Sequence, residues 1–302
     1  MRRSPSSGGG DVSAPARVAV IGDALIDELV DEAGTLRVVG GSALNVATGL
    51  SILGAPTTLI AMIGDDADGE LIRSHLADYG VDLIPTITPL GTGVARSERR
   101  DGEPHYSFSE PMLNRTTAFD GPQRAAIADS GVVAVSGFPL DDDTQTALLT
   151  EALAASTGIV ALDPNPRSGM LRDAAAFARA VEHLGGAIAL LKIGDDDAHL
   201  LFGRSVASAI PELRARYAHV LATEGGAGAS VHLDGRRFSS PALAASDQVV
   251  DTMGAGDAVF ASVLAEIAAD GLDAVDWDAA LRRAMGIAAA TIAHPGALLR
   301  TP

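Results

Sequence analysis

"VVDTMGAGDAVFAS", residues 249–262, sets two Asp, a Thr and two Gly between a β-branched pair and a run of small apolar residues. Val249 and Val250 read as the end of a buried strand and Ala258 to Ala268 as a helix packed in a core, which makes the stretch between them a strand-to-helix turn. Gly254 and Gly256 permit backbone angles and close approaches that side chains forbid, so amides at the helix start can aim at a common centre. Such a centre binds anions, phosphate above all. Asp257 stands at its mouth, where its own charge would repel phosphate. A carboxylate there makes sense if it accepts a proton from a group attacking the phosphate.

Outward from this turn the chain alternates short apolar runs with helical periodicity. "ARVAVIG" (16–22), "TTLIAMIG" (57–64), "GVVAVSG" (131–137), "GIVALD" (158–163), "AIALLKIG" (187–194) and "HVLAT" (219–223) read as strands. Helical stretches such as "SALNVATGLSILG" (42–54) and "DADGELIRSHLADYG" (66–80) lie between them and stop at Gly. The expected fold is α/β, with a mainly parallel central sheet covered by helices on both faces. Two polar segments with alternating β-formers, 28–41 and 91–110, break the rhythm, the second around a hairpin turn "RDGE". They could pair as a small sheet that serves as a lid over a site.

Composition narrows the function. A formal net charge of −17 argues against a general nucleic-acid binder, which needs Lys and Arg to neutralise phosphates. With no Cys there is no disulfide, no thiolate nucleophile and no Cys-type zinc site. The start reads as a disordered tail over 1–15 without the apolar core of a secretory signal, and no run is long enough to span a membrane. A cytoplasmic location is the expectation. No P-loop, GxGxxG, HExxH or GxSxG occurs, and "GDDADGE" lacks calcium-loop spacing, so it reads as an acidic helix start.

What remains is a set of polar and Gly-rich elements after predicted strands: Asp27 and "GGSALN" with Asn45, then "DPNPR", "TEGGAG" and the opening motif. An Asp after a strand is more often a cap than a ligand, but five such elements at one edge point to a site. The sequence here resembles the ribokinase-like (PfkB) carbohydrate kinases. "DTMGAGDAVFAS" is similar to the family's C-terminal signature and "GGSALNVATGLSILGAPTTLIAMIGDDADGELI" to its N-terminal one, and the resemblance runs from about Arg17 to Leu298.

The resemblance implies a ribokinase-like three-layer domain over 16–302 with a small β-sheet lid, and an ATP- and Mg²⁺-dependent kinase acting on a hydroxymethyl group. Asp257 matches the catalytic base, and Gly254, Ala255 and Gly256 the anion hole with it. Asp27, Gly41 and Asn45 match sugar-hydroxyl contacts, while Lys192, Thr223, Gly225 and Gly228 fall to the nucleotide. Asp251 matches a ligand of a monovalent-cation site that is optional in the family, so potassium use stays open. Many members carry Asn-x-x-Glu near the magnesium; the matching stretch is Gly194 to Asp197, with the acid one methylene shorter and the amide lost. "GDALIDE", "DPNPR" and the pattern after Lys192 lean to the fructokinase and 2-keto-3-deoxygluconate kinase branch. Arg167 could meet a sugar-acid carboxylate or brace the site through Asp163. A nucleoside kinase and an inactive sugar-binding regulator are the alternatives, and pairing of lids between subunits implies a homodimer.

Overall fold

The computed structural model describes residues 14–31, 34–100, 103–243 and 248–302. Most of the expected tail and the tip of the "RDGE" turn lie outside the described residues. In chain order the strands are β1 (Val18–Gly22), β2 (Leu25–Asp31), β3 (Gly34–Gly40), β4 (Thr57–Gly64), β5 (Asp82–Thr88), β6 (Val94–Arg100), β7 (Glu103–Phe108), β8 (Val132–Ser136), β9 (Ile159–Asp163), β10 (Leu190–Gly194), β11 (His219–Thr223), β12 (Ala229–Leu233) and β13 (Arg236–Ser240). The helices are α1 (Ser42–Ile52), α2 (Ala67–Asp78), α3 (Glu110–Leu113), α4 (Gly121–Ala128), α5 (Asp143–Ala154), α6 (Ala174–Leu184), α7 (Asp195–Phe202), α8 (Val206–Arg214), α9 (Ala255–Asp270) and α10 (Trp277–Ile292).

Nine strands form the main sheet in the order β13-β12-β11-β10-β9-β8-β1-β4-β5, parallel from β11 to β5 and antiparallel beyond β11. Strand alternation sends residues to two cores. Val132 and Ala134 of β8 join α1, α9 and α10 on one face, and Val133 and Val135 join α5, α6 and α8 on the other. Helix α9 is apolar nearly all round, as a buried helix must be, and Ala258 through Leu264 are all buried. The expected three layers are present.

The lid segments form a second sheet, ordered β3-β2-β6-β7: two antiparallel hairpins joined by a parallel β2–β6 pair. It begins at Leu25, earlier than expected, and so carries Asp27 within its first strand. Leu25, Ala95 and Met112 form its small apolar anchor.

One expectation fails. Val249 and Val250 do not end a buried strand: among the described residues the last strand finishes at Ser240, and the two residues are 38% and 62% exposed. The Val250 amide instead donates to the Ile292 carbonyl at 2.8 Å, tying this stretch to the end of α10. β-branching expresses a preference that needs a neighbouring strand to be realised. The phosphate turn is therefore a loop-to-helix turn.

Candidate active site

Gly22, Ser136 and Asp163, the last residues of β1, β8 and β9, lie in one row across the sheet, and Gly194 and Thr223 end β10 and β11 in register. Strand order reverses at β1, which places a crevice at this carboxyl edge. Helix α9 points its N-terminus into the crevice. Gly254, its N-cap, has φ 74°, and a Cβ there would lie 2.6 Å from the Ala297 carbonyl oxygen. Ala255, Gly256 and Asp257 form the first helical turn, whose amides lack intrahelical acceptors. The Ala255 amide bonds weakly to Thr252 O at 3.3 Å, so Gly256 and Asp257 supply the free donors. Gly256 has no positive φ; a Cβ there would lie 3.2 Å from Lys192 Nζ, a close approach that the Lys192 side chain would have to yield to.

Asp257 is buried, with a donor on each oxygen: Ser42 Oγ to Oδ1 at 2.7 Å and Asn45 Nδ2 to Oδ2 at 2.9 Å. Ser42 and Asn45 are three residues apart on α1 and so share a face. Ser136 Oγ lies 2.6 Å from Ser42 Oγ. The one hydroxyl proton of Ser42 goes to the carboxylate, so Ser136 is the donor in that pair. Asn45, expected as a sugar contact, is thus seen to orient the Asp257 carboxylate.

Among the residues expected to meet the sugar, Gly41 is the N-cap of α1. Asp27 projects from β2; burial, with the charges of Asp23 and Asp257, pushes its pKa up to about 7 against the pull of Arg167. Asp23, just beyond β1, accepts from the Ala43 amide at 3.0 Å, and burial raises its pKa too. Arg167 follows Asn165, whose φ is 42°, and its charge acts on both Asp27 and Asp23. It does not brace Asp163, because Lys192 Nζ donates to both Asp163 oxygens, at 3.0 and 2.8 Å.

Among the residues expected at the nucleotide, burial acts to strip the Lys192 proton, but the charges of Asp163, Asp197 and Asp257 outweigh it and raise its pKa. Asp197 Oδ2 accepts from the Gly194 amide at 2.8 Å, capping α7. Gly225 opens a turn that Gly228 closes by donating to Gly225 O at 3.0 Å. Asp251 gives both oxygens to backbone, to Met253 N at 3.0 Å and Gly296 N at 2.9 Å. Among the described residues no group of three or more acidic or His side chains is placed to hold a metal. Ser42, Ser136, Asp23 and the Asp163–Lys192 pair were not foreseen. The Ser42–Asn45 spacing inside "GGSALN" is the one signal that could have disclosed a shared target.

A model of the pfkB family carbohydrate kinases matches residues 16–302. The chain belongs to this family. Among its relatives, a fructokinase of Klebsiella pneumoniae is 31% identical over 91% of this chain and 93% of its own. A 2-dehydro-3-deoxygluconokinase of Bacillus subtilis is 25% identical over 85% and 82%. The structure of a Vibrio cholerae fructokinase double mutant, bound to fructose, ADP and potassium, superposes with a TM-score of 0.78 at 22% identity over 94% of both chains, a likeness of fold. As a PfkB member the protein is an ATP-dependent carbohydrate kinase. No described helix is long and apolar enough to cross a membrane.

Proposed function

We propose that this kinase phosphorylates the hydroxymethyl group of a small, fructose-like sugar in the cytoplasm, with Asp257 as general base. The observation that carries this reading is the Asp257 carboxylate, buried beside the free amides of Gly256 and Asp257 and oriented by Ser42 and Asn45. Asp27, Gly41 and Asn45 bind sugar hydroxyls. A carboxyl group with a pKa of about 7 and an amide together offer donors and acceptors for paired hydroxyls. The sugar oxygen bonds to the γ-phosphorus as the bond to the ADP oxygen breaks, and Asp257 takes the hydroxyl proton. Thr223, Gly225 and Gly228 bind the nucleotide.

Asp197 spends Oδ2 on the Gly194 amide and retains Oδ1, which suits Mg²⁺, an ion that takes one or two carboxylates with phosphate oxygens and water. The ion would neutralise phosphate charge. A potassium ion beside Asp251 belongs to the same reading, as does a homodimer formed through the lid, where Leu36 and Tyr106 are 57% and 59% exposed. Arg167, exposed and acting on Asp27 and Asp23, favours a sugar acid as second substrate class.

ADP release measured with fructose, other hexoses, 2-keto-3-deoxygluconate and nucleosides tests the reading. Fructose should give the highest kcat/KM and the sugar acid the next. Turnover with nucleosides alone, or with no acceptor, would overturn it.

A further inference from the structure

Lys192 is a buried ammonium with an unusual neighbour. Its side chain runs from β10 to the sheet edge, 4% of the residue is exposed, and Nζ holds both oxygens of Asp163. On its other side is Gly256 in the first turn of α9, where a Cβ would lie 3.2 Å from Nζ and 3.7 Å from Cε. The ammonium therefore packs against the very turn that offers free amides to phosphate. It has three protons, and the two short contacts to Asp163 leave one without a partner among the described residues. Replacing a buried ion pair by packed apolar side chains is often neutral or stabilising, so the pair is poorly explained as a strut.

We propose, resting on the kinase reading above, that Lys192 supplies a fixed positive charge to the phosphoryl group in transit and that Asp163 is the positioning residue that holds it there. As the sugar oxygen bonds to phosphorus and the electrons of the breaking bond pass to ADP, the free N–H of Lys192 donates a hydrogen bond to a non-bridging phosphoryl oxygen. Lys192 keeps its proton throughout; the hydroxyl proton goes to Asp257. Both the ammonium and the amides are set before the reaction, so no reorganisation is needed when charge develops. Gly256 is the gap that admits the ammonium.

The test uses the full chain and the double variant K192M/D163L, which removes the pair without stranding a charge. Its Tm should stay near that of the wild type while kcat falls by about 10² to 10³-fold, the usual worth of one preorganised donor. KM for the sugar should change by less than about threefold, because the lost hydrogen bond goes to phosphate and not to the acceptor. Calorimetry with tripolyphosphate and magnesium should show binding at least about tenfold weaker than wild type, the loss of one charge-assisted hydrogen bond. A folded double variant with wild-type kcat and tripolyphosphate affinity overturns the proposal. If the double variant does not fold, D163N and G256A decide: each should lower kcat with the sugar KM held, and normal turnover in both overturns it. A wild type whose tripolyphosphate binding depends on Lys192, but which phosphorylates no sugar, would retain the phosphate role and sink the sugar-kinase reading instead.

Discussion

The nine-stranded sheet and the four-stranded lid each bring a carboxylate to the site, and they treat it differently. Asp257, on the body, has a donor on each oxygen. Asp27, on lid strand β2, accepts no side-chain hydrogen bond among the described residues, and burial pushes its pKa to about 7. Packing accounts for the contrast. Strands β1 and β8 are sealed between two apolar cores, so groups at their ends keep fixed distances. The lid rests on a small cluster around Leu25, Ala95 and Met112 and reaches the main core through Ile26, Val39 and Val94, so far less of it is sealed. A base must be oriented before the substrate arrives, whereas a group that grips hydroxyls gains its partners only when the sugar binds. On the proposed reading the body carries the chemistry and the lid the recognition.

The largest expected effect tests the body. Asp257→Asn keeps the shape of the side chain and should lower kcat by about 10² to 10⁴-fold, the usual contribution of a general base, with both ligand affinities nearly unchanged. If Asp257 merely caps α9, Asn is an equally good cap and turnover survives. Ser42→Ala and Asn45→Ala should come next. A hydrogen bond to a charged group contributes about 1.5–3 kcal/mol, so each loss should lower kcat by at least about tenfold. Asn45→Ala with a raised sugar KM and intact kcat would return Asn45 to a pure sugar contact.

These residues also show how far the sequence could be read. The parallel strands and most helices were legible because each is a continuous apolar or amphipathic run, and Asp257, Gly254 and Asn45 were legible because they sit in compact motifs. Ser136 was not: it ends an ordinary buried strand, and only the row of strand ends brings it to Ser42. Asp163 and Lys192 lie twenty-nine residues apart and become partners only through β9–β10 pairing. Val249 and Val250 misled for the converse reason, since their local preference has no strand beside it. Gly256 was read as a place of permitted backbone angles and close approach, and the group that approaches it, the Lys192 ammonium, comes from a different strand.

A smaller effect sharpens the lid side of the contrast. With its pKa raised from 3.8 to about 7, Asp27 in the folded chain keeps a proton that the unfolded chain releases. Between those values stability falls as pH rises, and above about 7 this contribution levels off. Asp27→Asn removes the ionisation and should therefore match or exceed the wild-type Tm at pH 8, while raising the sugar KM several-fold. Asp23, also raised by burial, keeps the rest of the slope. An Asp27→Asn protein clearly less stable than wild type at pH 8 would mean that the lid satisfies its carboxylate after all, and the contrast with Asp257 would fail.

The smallest effect concerns what holds the lid to the body. Arg37 on β3 donates to both oxygens of Asp68 in the first turn of α2, at 3.0 and 2.7 Å, and through Nε to Glu28 at 3.1 Å. The pairing is bidentate, the geometry that gives a surface ion pair its best chance. Arg37 is nevertheless 41% exposed, and solvent screening limits such pairs to about 0.2–1 kcal/mol. Arg37→Ala should accordingly speed amide exchange in β2 and β3 by no more than about fivefold, and leave β1 and β8 untouched. In about 1 M salt, where the screening length is about 3 Å, the difference from wild type should shrink towards nothing. Sugar should then slow exchange in the lid far more than in the main sheet, in wild type and variant alike, because the sugar supplies the contacts that Asp27 lacks. Equal protection of lid and main sheet, with and without sugar, would mean that the four-stranded sheet is a fixed wall, held by its apolar anchor rather than by a latch that Arg37 can release.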